Sequence, residues 1–283
     1  MKFQKTIKKS IFLEGKGLHT GKESSITLKP ASLNTGIIFK RKDISNDAYL
    51  KANIENVIDS KLSITLGCKE FRIATVEHIL AALYGLEIDN LIIEITAEEL
   101  PIMDGSSKNF VEAILESGIE EQNGAISYFR VNKPIWVIRE DKHLVVLPSD
   151  KLKISYTLEF NHKMLESQSM YFLLNKKSFV QEIAFARTFC FEKDIVSIKK
   201  DDLGKGGSLE NVVVIGENNY LNSDLRFKNE CLRHKILDLI GALALLEKPI
   251  KGYIIARKSG HLLDVALIKE LKNALNQQEL VSD

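Results

Sequence analysis

The chain passes twice through the same series of predicted elements, and this repetition restricts it to folds built from two similar halves. Each half contains two predicted strands joined by a proline-containing turn, a histidine-bearing helix, a short β-rich run, a loop of small residues and an amphipathic closing helix. In the first half these segments are residues 25–39, 74–85, 90–96, 103–107 and 108–118. In the second half they are residues 144–160, 229–246, 252–258, 259–261 and 262–275.

The spacing of these features supports a diverged duplication. His78 precedes Asp104 in its small-residue loop by 26 residues, and His234 precedes His261 by 27. The second half is longer by roughly 38 residues before its histidine helix, which places an insert near residues 190–228. We therefore predict an α+β fold of two similar domains, 1–122 and 123–283. Their sheets should lie outside and their helices should pack face to face around the active site.

Composition excludes several classes of protein. The formal net charge is only +1, whereas proteins that bind nucleic acid non-specifically carry a basic excess. The three cysteines are sparse and unpaired in sequence, which is typical of reduced cytosolic proteins. We find neither a signal peptide nor a run of transmembrane length. We therefore expect a cytoplasmic protein that binds no nucleic acid and has no transmembrane segment, with peripheral membrane contact left open.

Three residues on the two histidine helices have the character of metal ligands. His234 and Asp238 are four residues apart, so their side chains lie on one helical face. Alone, this pair is better explained as an ion pair on the helix surface, because short motifs often match by chance. His78 occupies the matching position of the first half, and two histidines with one carboxylate make a three-ligand catalytic metal site. Zinc and ferrous iron both suit these ligands.

Other polar residues near these positions suit amide or ester chemistry. Glu77 is a candidate general base, although a single glutamate on a helix is more often a solvated charge. His261 is a candidate general acid, and an ordinary polar residue at a helix start is an equal alternative. Thr188 and Lys235 could stabilise an oxyanion. His19 lies between glycines that allow close backbone approach to a ligand.

Seven motifs resemble those of the UDP-3-O-acyl-N-acetylglucosamine deacetylases, the zinc amidases of lipid A biosynthesis in Gram-negative bacteria. In chain order they are KGLHTG, ATVEHILAAL, LPIMDGSS, ARTF, KGGSLENVVV, LRHKILD and SGH. The resemblance covers nearly the whole chain. It implies that UDP-3-O-(3-hydroxyacyl)-N-acetylglucosamine is the substrate and that its N-acetyl group is released as acetate. It also implies a Zn²⁺ cofactor, and we further expect a monomer.

The resemblance implies a role for each candidate residue. The implied zinc ligands are His78, His234 and Asp238, with Glu77 as general base and His261 as general acid. Thr188 and Lys235 resemble the groups at the oxyanion and the substrate phosphates, and Phe189 resembles an aromatic residue of the substrate site, to which we also assign His19. The insert near residues 190–228 resembles the segment that forms an acyl-chain passage.

The chain also departs from the family pattern. Ala242 stands where the family usually has an aspartate near the general acid, so we predict a lower pKa for His261 and a slower enzyme. Asp264 is a candidate to replace that carboxylate in part. The departure predicts that Ala242→Asp changes the rate and the pH profile. Two alternatives remain: a degenerate paralogue that binds UDP-sugar lipids without catalysis, and a metal hydrolase of a different acylated amine.

Overall fold

The structure is a computed structural model that describes residues 2–45 and 48–282, with the side chains of residues 281 and 282 left undescribed. Among these residues, no helix combines the length and the apolar character that a membrane crossing requires. Strands come in runs that are interrupted by single helices, and the α+β class predicted from the sequence is confirmed.

The first half contains ten strands and two helices among the described residues. The strands are β1 (Phe3–Ile7), β2 (Ile11–Lys16), β3 (Glu23–Pro30), β4 (Ile37–Arg41), β5 (Tyr49–Lys51), β6 (Val57–Asp59), β7 (Thr65–Gly67), β8 (Arg72–Ile73), β9 (Leu91–Ile95) and β10 (Ile119–Ala125). The helices are α1 (Glu77–Gly85) and α2 (Lys108–Ser117), and a 3₁₀ turn covers Ile54–Asn56.

The second half contains nine strands and four helices among the described residues. The strands are β11 (Phe129–Arg130), β12 (Ile135–Arg139), β13 (Lys142–Leu147), β14 (Lys153–Leu158), β15 (Gln168–Leu173), β16 (Thr188–Phe191), β17 (Val212–Ile215), β18 (Ile250–Lys251) and β19 (Tyr253–Arg257). The helices are α3 (Lys176–Ser178), α4 (Ile195–Lys200), α5 (Glu230–Leu243) and α6 (His261–Ser282). A π-helical turn covers Phe179–Ile183, and 3₁₀ turns cover Lys163–Leu165, Glu192–Asp194 and Ala244–Leu246.

Two five-stranded sheets share one topology. Their strand orders are β2-β3-β9-β4-β5 and β12-β13-β19-β14-β15. In both, the central strand pairs antiparallel with one neighbour and parallel with the other, as β9 does with β3 and β4 and β19 with β13 and β14. Strand β10 pairs with β1 and extends across residue 122. The domain limits of 1–122 and 123–283 remain a prediction, which the matching strand orders support.

Helices α1 and α5 pack against each other in the core. Almost all of α1 is buried, and most residues of α5 are as well. A Cβ atom at Gly241 would overlap the backbone carbonyl oxygen of Glu77, so glycine is what allows the two helices to approach so closely. This approach brings the histidine of each helix to one place.

In each half, a small sheet is formed by strands that precede the histidine helix in the chain: β6–β8 come between β5 and α1, and β16 and β17 come between β15 and α5. In the second half, β16 and β17 pair in parallel, with α4 between them in sequence. This unit lies in and next to the segment predicted as an insert. In the first half, β6, β7 and β8 form a three-stranded sheet that the sequence analysis did not predict.

Glycine-rich loops hold the insert of the second half against the first half. A Cβ atom at Gly105 would overlap the carbonyl oxygen of Asn211, and one at Gly206 would overlap that of Gly17. The backbone N–H of Gly206 donates to the carbonyl of Leu18 at 3.0 Å. The glycines in these motifs therefore allow the backbones of two chain segments to approach each other closely.

Candidate active site

Three ligand-type side chains converge where α1 meets α5. One ligand atom from each of His78, His234 and Asp238 lies within 4.8 Å of the other two, and all three residues are buried. Asp238 Oδ1 lies 3.2 Å from His234 Nε2 and 3.9 Å from His78 Nε2. The imidazole rings of the two histidines meet edge to face, with centroids 5.0 Å apart. Two histidines and a carboxylate thus face one point.

Neighbouring groups fix the orientation of these side chains. His234 Nδ1 lies 2.9 Å from the carbonyl oxygen of Ala186, which accepts a hydrogen bond only if this nitrogen carries the proton. His234 Nε2 is then left with its lone pair toward the cluster. Ser107 Oγ donates to the backbone carbonyl of His78 at 2.6 Å, so the loop that follows β9 supports α1.

The charges of the cluster suit a cation. Asp238 Oδ1 is buried and has no hydrogen-bond donor among the described residues, which is costly for a carboxylate oxygen. Burial lowers the pKa of His78 to about 3, which keeps the imidazole neutral. Burial acts to raise the pKa of Asp238, but His234 and Lys235 outweigh it and hold the pKa well below its usual value. Neutral imidazoles and an ionised carboxylate are the forms that bind metal.

Glu77 and His261 flank the cluster. His261 Nε2 lies 3.9 Å from Glu77 Oε1 and 3.7 Å from Asp238 Oδ2. Glu77 Oε2 accepts the backbone N–H of Ile64 at 2.9 Å, which leaves Oε1 facing His261. Burial and the nearby Asp238 raise the pKa of Glu77 to about 8. A carboxylate with a raised pKa is a stronger proton acceptor than an exposed one.

His261 is the first residue of α6, as expected for a residue at a loop-to-helix junction. Its pKa is lowered to about 4, mainly by burial. The sequence analysis predicted this direction from the missing aspartate at Ala242, but burial is the largest cause. Ala242 is itself completely buried. Asp264 is also completely buried and accepts a hydrogen bond from the hydroxyl of Ser259, two residues before His261.

A cavity of about 230 Å³ opens onto the cluster. All nine residues that the sequence analysis selected line it. They are His19, Glu77, His78, Thr188, Phe189, His234, Lys235, Asp238 and His261. These nine residues come from distant segments of both halves, and the fold brings them to one cavity; Asp264, the candidate replacement carboxylate, does not line it.

Lys235, Phe189 and Thr188 form one side of the cavity. Lys235 Nζ donates to Asp238 Oδ2 at 2.8 Å and lies 5.6 Å from the ring centroid of Phe189. Burial acts to lower the pKa of Lys235, but Asp238 outweighs it and the pKa is raised, so the ammonium stays charged. The backbone N–H of Thr188 donates to the carbonyl of Gly105 at 2.8 Å, which ties the start of β16 to the first half.

The sequence analysis missed several residues of the cavity. Lys61 and Leu62 enter it from the loop between β6 and β7, and Phe160 follows β14. The length of the segment that contains Lys61 and Leu62 could have indicated their role. It comprises the 25 residues 52–76 between β5 and α1, and long connections are often functional. Phe160 carried no comparable signal, since a single aromatic residue after a strand is common.

The known proteins that this chain resembles share one name. The model of the LpxC family, UDP-3-O-acyl N-acetylglycosamine deacetylase, matches residues 4–273. A UDP-3-O-acyl-N-acetylglucosamine deacetylase of Leptospira biflexa is 42% identical over 278 residues, which cover 98% of this chain and 92% of the relative. Proteins of the same name from Thermodesulfovibrio yellowstonii and Legionella pneumophila (strain Corby) are 42% and 44% identical over 271 residues each. They align with 96% and 95% of this chain, and with 92% and 89% of their own lengths. The chain therefore belongs to the UDP-3-O-acyl N-acetylglycosamine deacetylase family.

Proposed function

We propose that this protein is a metal-dependent deacetylase that hydrolyses the N-acetyl group of UDP-3-O-(3-hydroxyacyl)-N-acetylglucosamine in lipid A biosynthesis. Water and the amide are consumed, and acetate and the free 2-amine are formed. One observation carries the proposal: the buried ligand cluster of His78, His234 and Asp238 lies beside Glu77 in a chain of this deacetylase family. Membership of the family indicates the substrate, and the cluster indicates where the metal would bind and the reaction would take place.

The proposed metal is zinc, held by His78, His234 and Asp238. Two observations support this fit. One ligand atom from each of the three side chains lies within 4.8 Å of the others, and Asp238 Oδ1 accepts no hydrogen bond from the described residues. Bound there, zinc would act as a Lewis acid toward the amide carbonyl and would lower the pKa of a water molecule. Ferrous iron suits the same three ligands.

Glu77 and His261 divide the proton transfers. Glu77 takes a proton from the attacking water, which makes the water a better nucleophile. Because burial lowers the pKa of His261 to about 4, its imidazole is neutral near pH 7. We propose that His261 accepts the proton that Glu77 has taken from water and passes it to the amide nitrogen, so that the amine rather than its anion leaves. The distance of 3.9 Å between Glu77 Oε1 and His261 Nε2 supports this proposal, because both groups could reach the same amide. The proton taken from water thus ends on the amine nitrogen, the acid that is formed ionises to acetate, and Glu77 and His261 return to their starting forms.

The remaining candidates bind and polarise the substrate. Thr188 lies at the start of β16 on the cavity wall, where its hydroxyl would donate to the developing oxyanion. The charged Lys235 would stabilise the same oxygen or a substrate phosphate. His19 and Phe189 would contact the nucleotide sugar. The substrate is thus a nucleotide-linked, acylated sugar, and we expect neither nucleic acid nor a second organic cofactor.

We further propose that the protein works as a monomer in the cytoplasm. Cys68, Cys190 and Cys231 are all free thiols, which suits a reducing compartment.

A non-catalytic paralogue is the main alternative. Family membership argues against it, and so does the combination of a ligand cluster with an adjacent buried glutamate. A protein that only bound UDP-sugar lipids would have no use for a base beside the ligands. A hydrolase of another acylated amine would share the chemistry, but UDP would not compete with its substrate.

The test is acetate release from UDP-3-O-(3-hydroxyacyl)-N-acetylglucosamine by the purified protein as isolated, after chelation, and after zinc is restored. We expect release that chelation abolishes and zinc restores, with UDP as a competitive inhibitor. No release from a folded, zinc-loaded protein would contradict the proposal and favour the binding paralogue. Release that is insensitive to chelation would contradict the role of the metal.

A further inference from the structure

We propose that Glu99 is a positioning residue that fixes the loop carrying His19 to the start of α1. The inference rests on the proposed function, because it assigns His19 to substrate binding. Glu99 lies in the segment between β9 and α2, and its side chain does not line the cluster's cavity. It would act through the residues that it holds.

The carboxylate of Glu99 has a full set of hydrogen-bond donors. Oε1 accepts the backbone N–H of His19 at 2.8 Å and the hydroxyl of Thr75 at 2.9 Å. Oε2 accepts the backbone N–H and the hydroxyl of Thr20, both at 2.7 Å. Glu99 is only 1% exposed, and hydrogen bonds to a charged, buried acceptor are strong. One side chain thus holds two separate segments.

The two segments are the ones that bring His19 and the base into the cavity. The β2–β3 loop carries His19, whose side chain lines the cavity. Thr75 has a positive φ of 60°, a conformation that a β-branched residue rarely adopts, and it lies two residues before Glu77. The bond from the Thr75 hydroxyl to Glu99 therefore stabilises the strained turn from which α1 starts.

The loop that carries His19 is packed closely around the carboxylate of Glu99. A Cβ atom at Gly17 would overlap Glu99 Oε2 and would come within 2.5 Å of the hydroxyl of Thr20. On the other side of the loop, the backbone N–H groups of Lys205 and Gly206 donate to the carbonyls of His19 and Leu18. The His19 loop is therefore held from both halves of the chain, and Glu99 supplies the first half's share.

The test compares the kinetics of Glu99→Gln with those of wild type, using zinc-loaded protein and the substrate named above. The amide cannot accept all four donors, so we expect KM to rise about 10- to 100-fold through the His19 loop. The value of kcat should fall by less, because Thr75 lies two residues before Glu77 and keeps its place in the chain. Glu98→Gln is the matched control. Glu98 is the neighbouring acid, but it pairs at the surface with Lys22 and Arg72, so its KM should not change.

A double-mutant cycle separates positioning from general damage. If Glu99 acts through His19, Glu99→Gln should add less than about threefold to KM in the His19→Ala background. Thr20→Val removes only one of the four hydrogen bonds and is a milder variant if Glu99→Gln folds poorly. It should raise KM about two- to tenfold.

Three outcomes would overturn the inference. The first is a wild-type KM in both the Glu99→Gln and the Thr20→Val proteins. The second is that Glu99→Gln raises KM as much in the His19→Ala background as in wild type, and the third is that it lowers kcat by the same factor by which it raises KM. The proposed function is tested by a different result: it would be refuted if the wild-type protein released no acetate. An active wild type with an unchanged Glu99→Gln variant would refute only the role of Glu99.

Discussion

The Cα of Gly241 on α5 faces the backbone carbonyl of Glu77 on α1, with no space for a Cβ atom between them. Glu77 and His78 on one side and Asp238 on the other lie within one turn of this contact. We predict that Gly241→Ala destabilises the metal-free protein by about 1–3 kcal/mol, as overpacking of a core does. It should also weaken zinc binding, because it moves the two helices that carry the ligands. Urea unfolding and zinc titration measure the two effects.

Gly260→Ala is the control for this experiment. A Cβ atom at Gly260 would meet nothing within 4 Å, and its φ is not in the left-handed region. Its unfolding free energy should stay within about 0.5 kcal/mol of wild type. Equal stability of the Gly241→Ala and Gly260→Ala proteins would show that α1 and α5 can separate at little cost.

The ligand cluster predicts the metal content of variants. His78→Ala removes one of the three ligands and leaves His234 and Asp238 as the remaining two. We expect the zinc retained after dialysis to fall at least about tenfold, since even the supporting residues of metal sites have effects of that size. His143→Ala, on β13 and outside the cavity, should retain zinc as wild type does. Full retention of zinc in His78→Ala would exclude this cluster as the metal site.

Glu77→Gln separates catalysis from metal binding. The glutamine oxygen can still accept the N–H of Ile64, so the fold and the zinc content should be retained. The amide cannot take a proton from water, and we expect acetate release to fall about 10²–10⁴-fold. Single-turnover rates with zinc-matched protein measure the loss. Activity within tenfold of wild type would show that another group is the base.

The buried carboxyl of Asp264 predicts a dependence of stability on pH. Burial raises its pKa from 3.8 to about 6, so the folded protein binds this proton more tightly than the unfolded chain does. The stability that this difference provides is complete below pH 3.8 and is lost as the pH rises through 6. Two pKa units correspond to about 3 kcal/mol at most.

Asp264→Asn cannot ionise and still offers an oxygen to the Ser259 hydroxyl. It should therefore be more stable than wild type at pH 8, and this advantage should disappear by about pH 4. Unfolding in urea across this range measures the difference. Asp150→Asn, whose side chain is 97% exposed, should show no such trend. A constant difference between Asp264→Asn and wild type would indicate that Asp264 does not titrate in this range.

Much of the fold could be read from the sequence because duplicated segments carry the same signals twice. The runs that became β9 and β19 are apolar and short, and each follows a histidine-bearing helix by a few residues. Both runs form the central strand of a five-stranded sheet. Short apolar runs of this kind are a local signal, and hydrophobic periodicity detects such signals well. The candidate site residues could be selected for the same reason, since His78 and His234 occupy matching positions.

Other features depend on contacts between distant segments, which a local pattern does not contain. Glu99 looks like any acid in a loop, and only the fold shows that it accepts hydrogen bonds from His19, Thr20 and Thr75. The β6–β8 sheet went unrecognised because its strands have only two or three residues each. The low pKa of His261 comes mainly from burial by the whole fold and not from one neighbouring residue.

The meeting of α1 and α5 also bears on how such a site could arise. If a single half paired with its own copy in the same way, two identical helices would meet and place two copies of one histidine together. The residues beside the histidine would then be identical on both helices, so the site would contain either two glutamates or two aspartates. In this chain the helices differ: Glu77 precedes His78, whereas Arg233 precedes His234 and Asp238 follows it by one turn. Because one chain carries both helices, one helix can supply the proton acceptor and the other the third ligand, whereas a symmetric dimer would have to carry both on every helix.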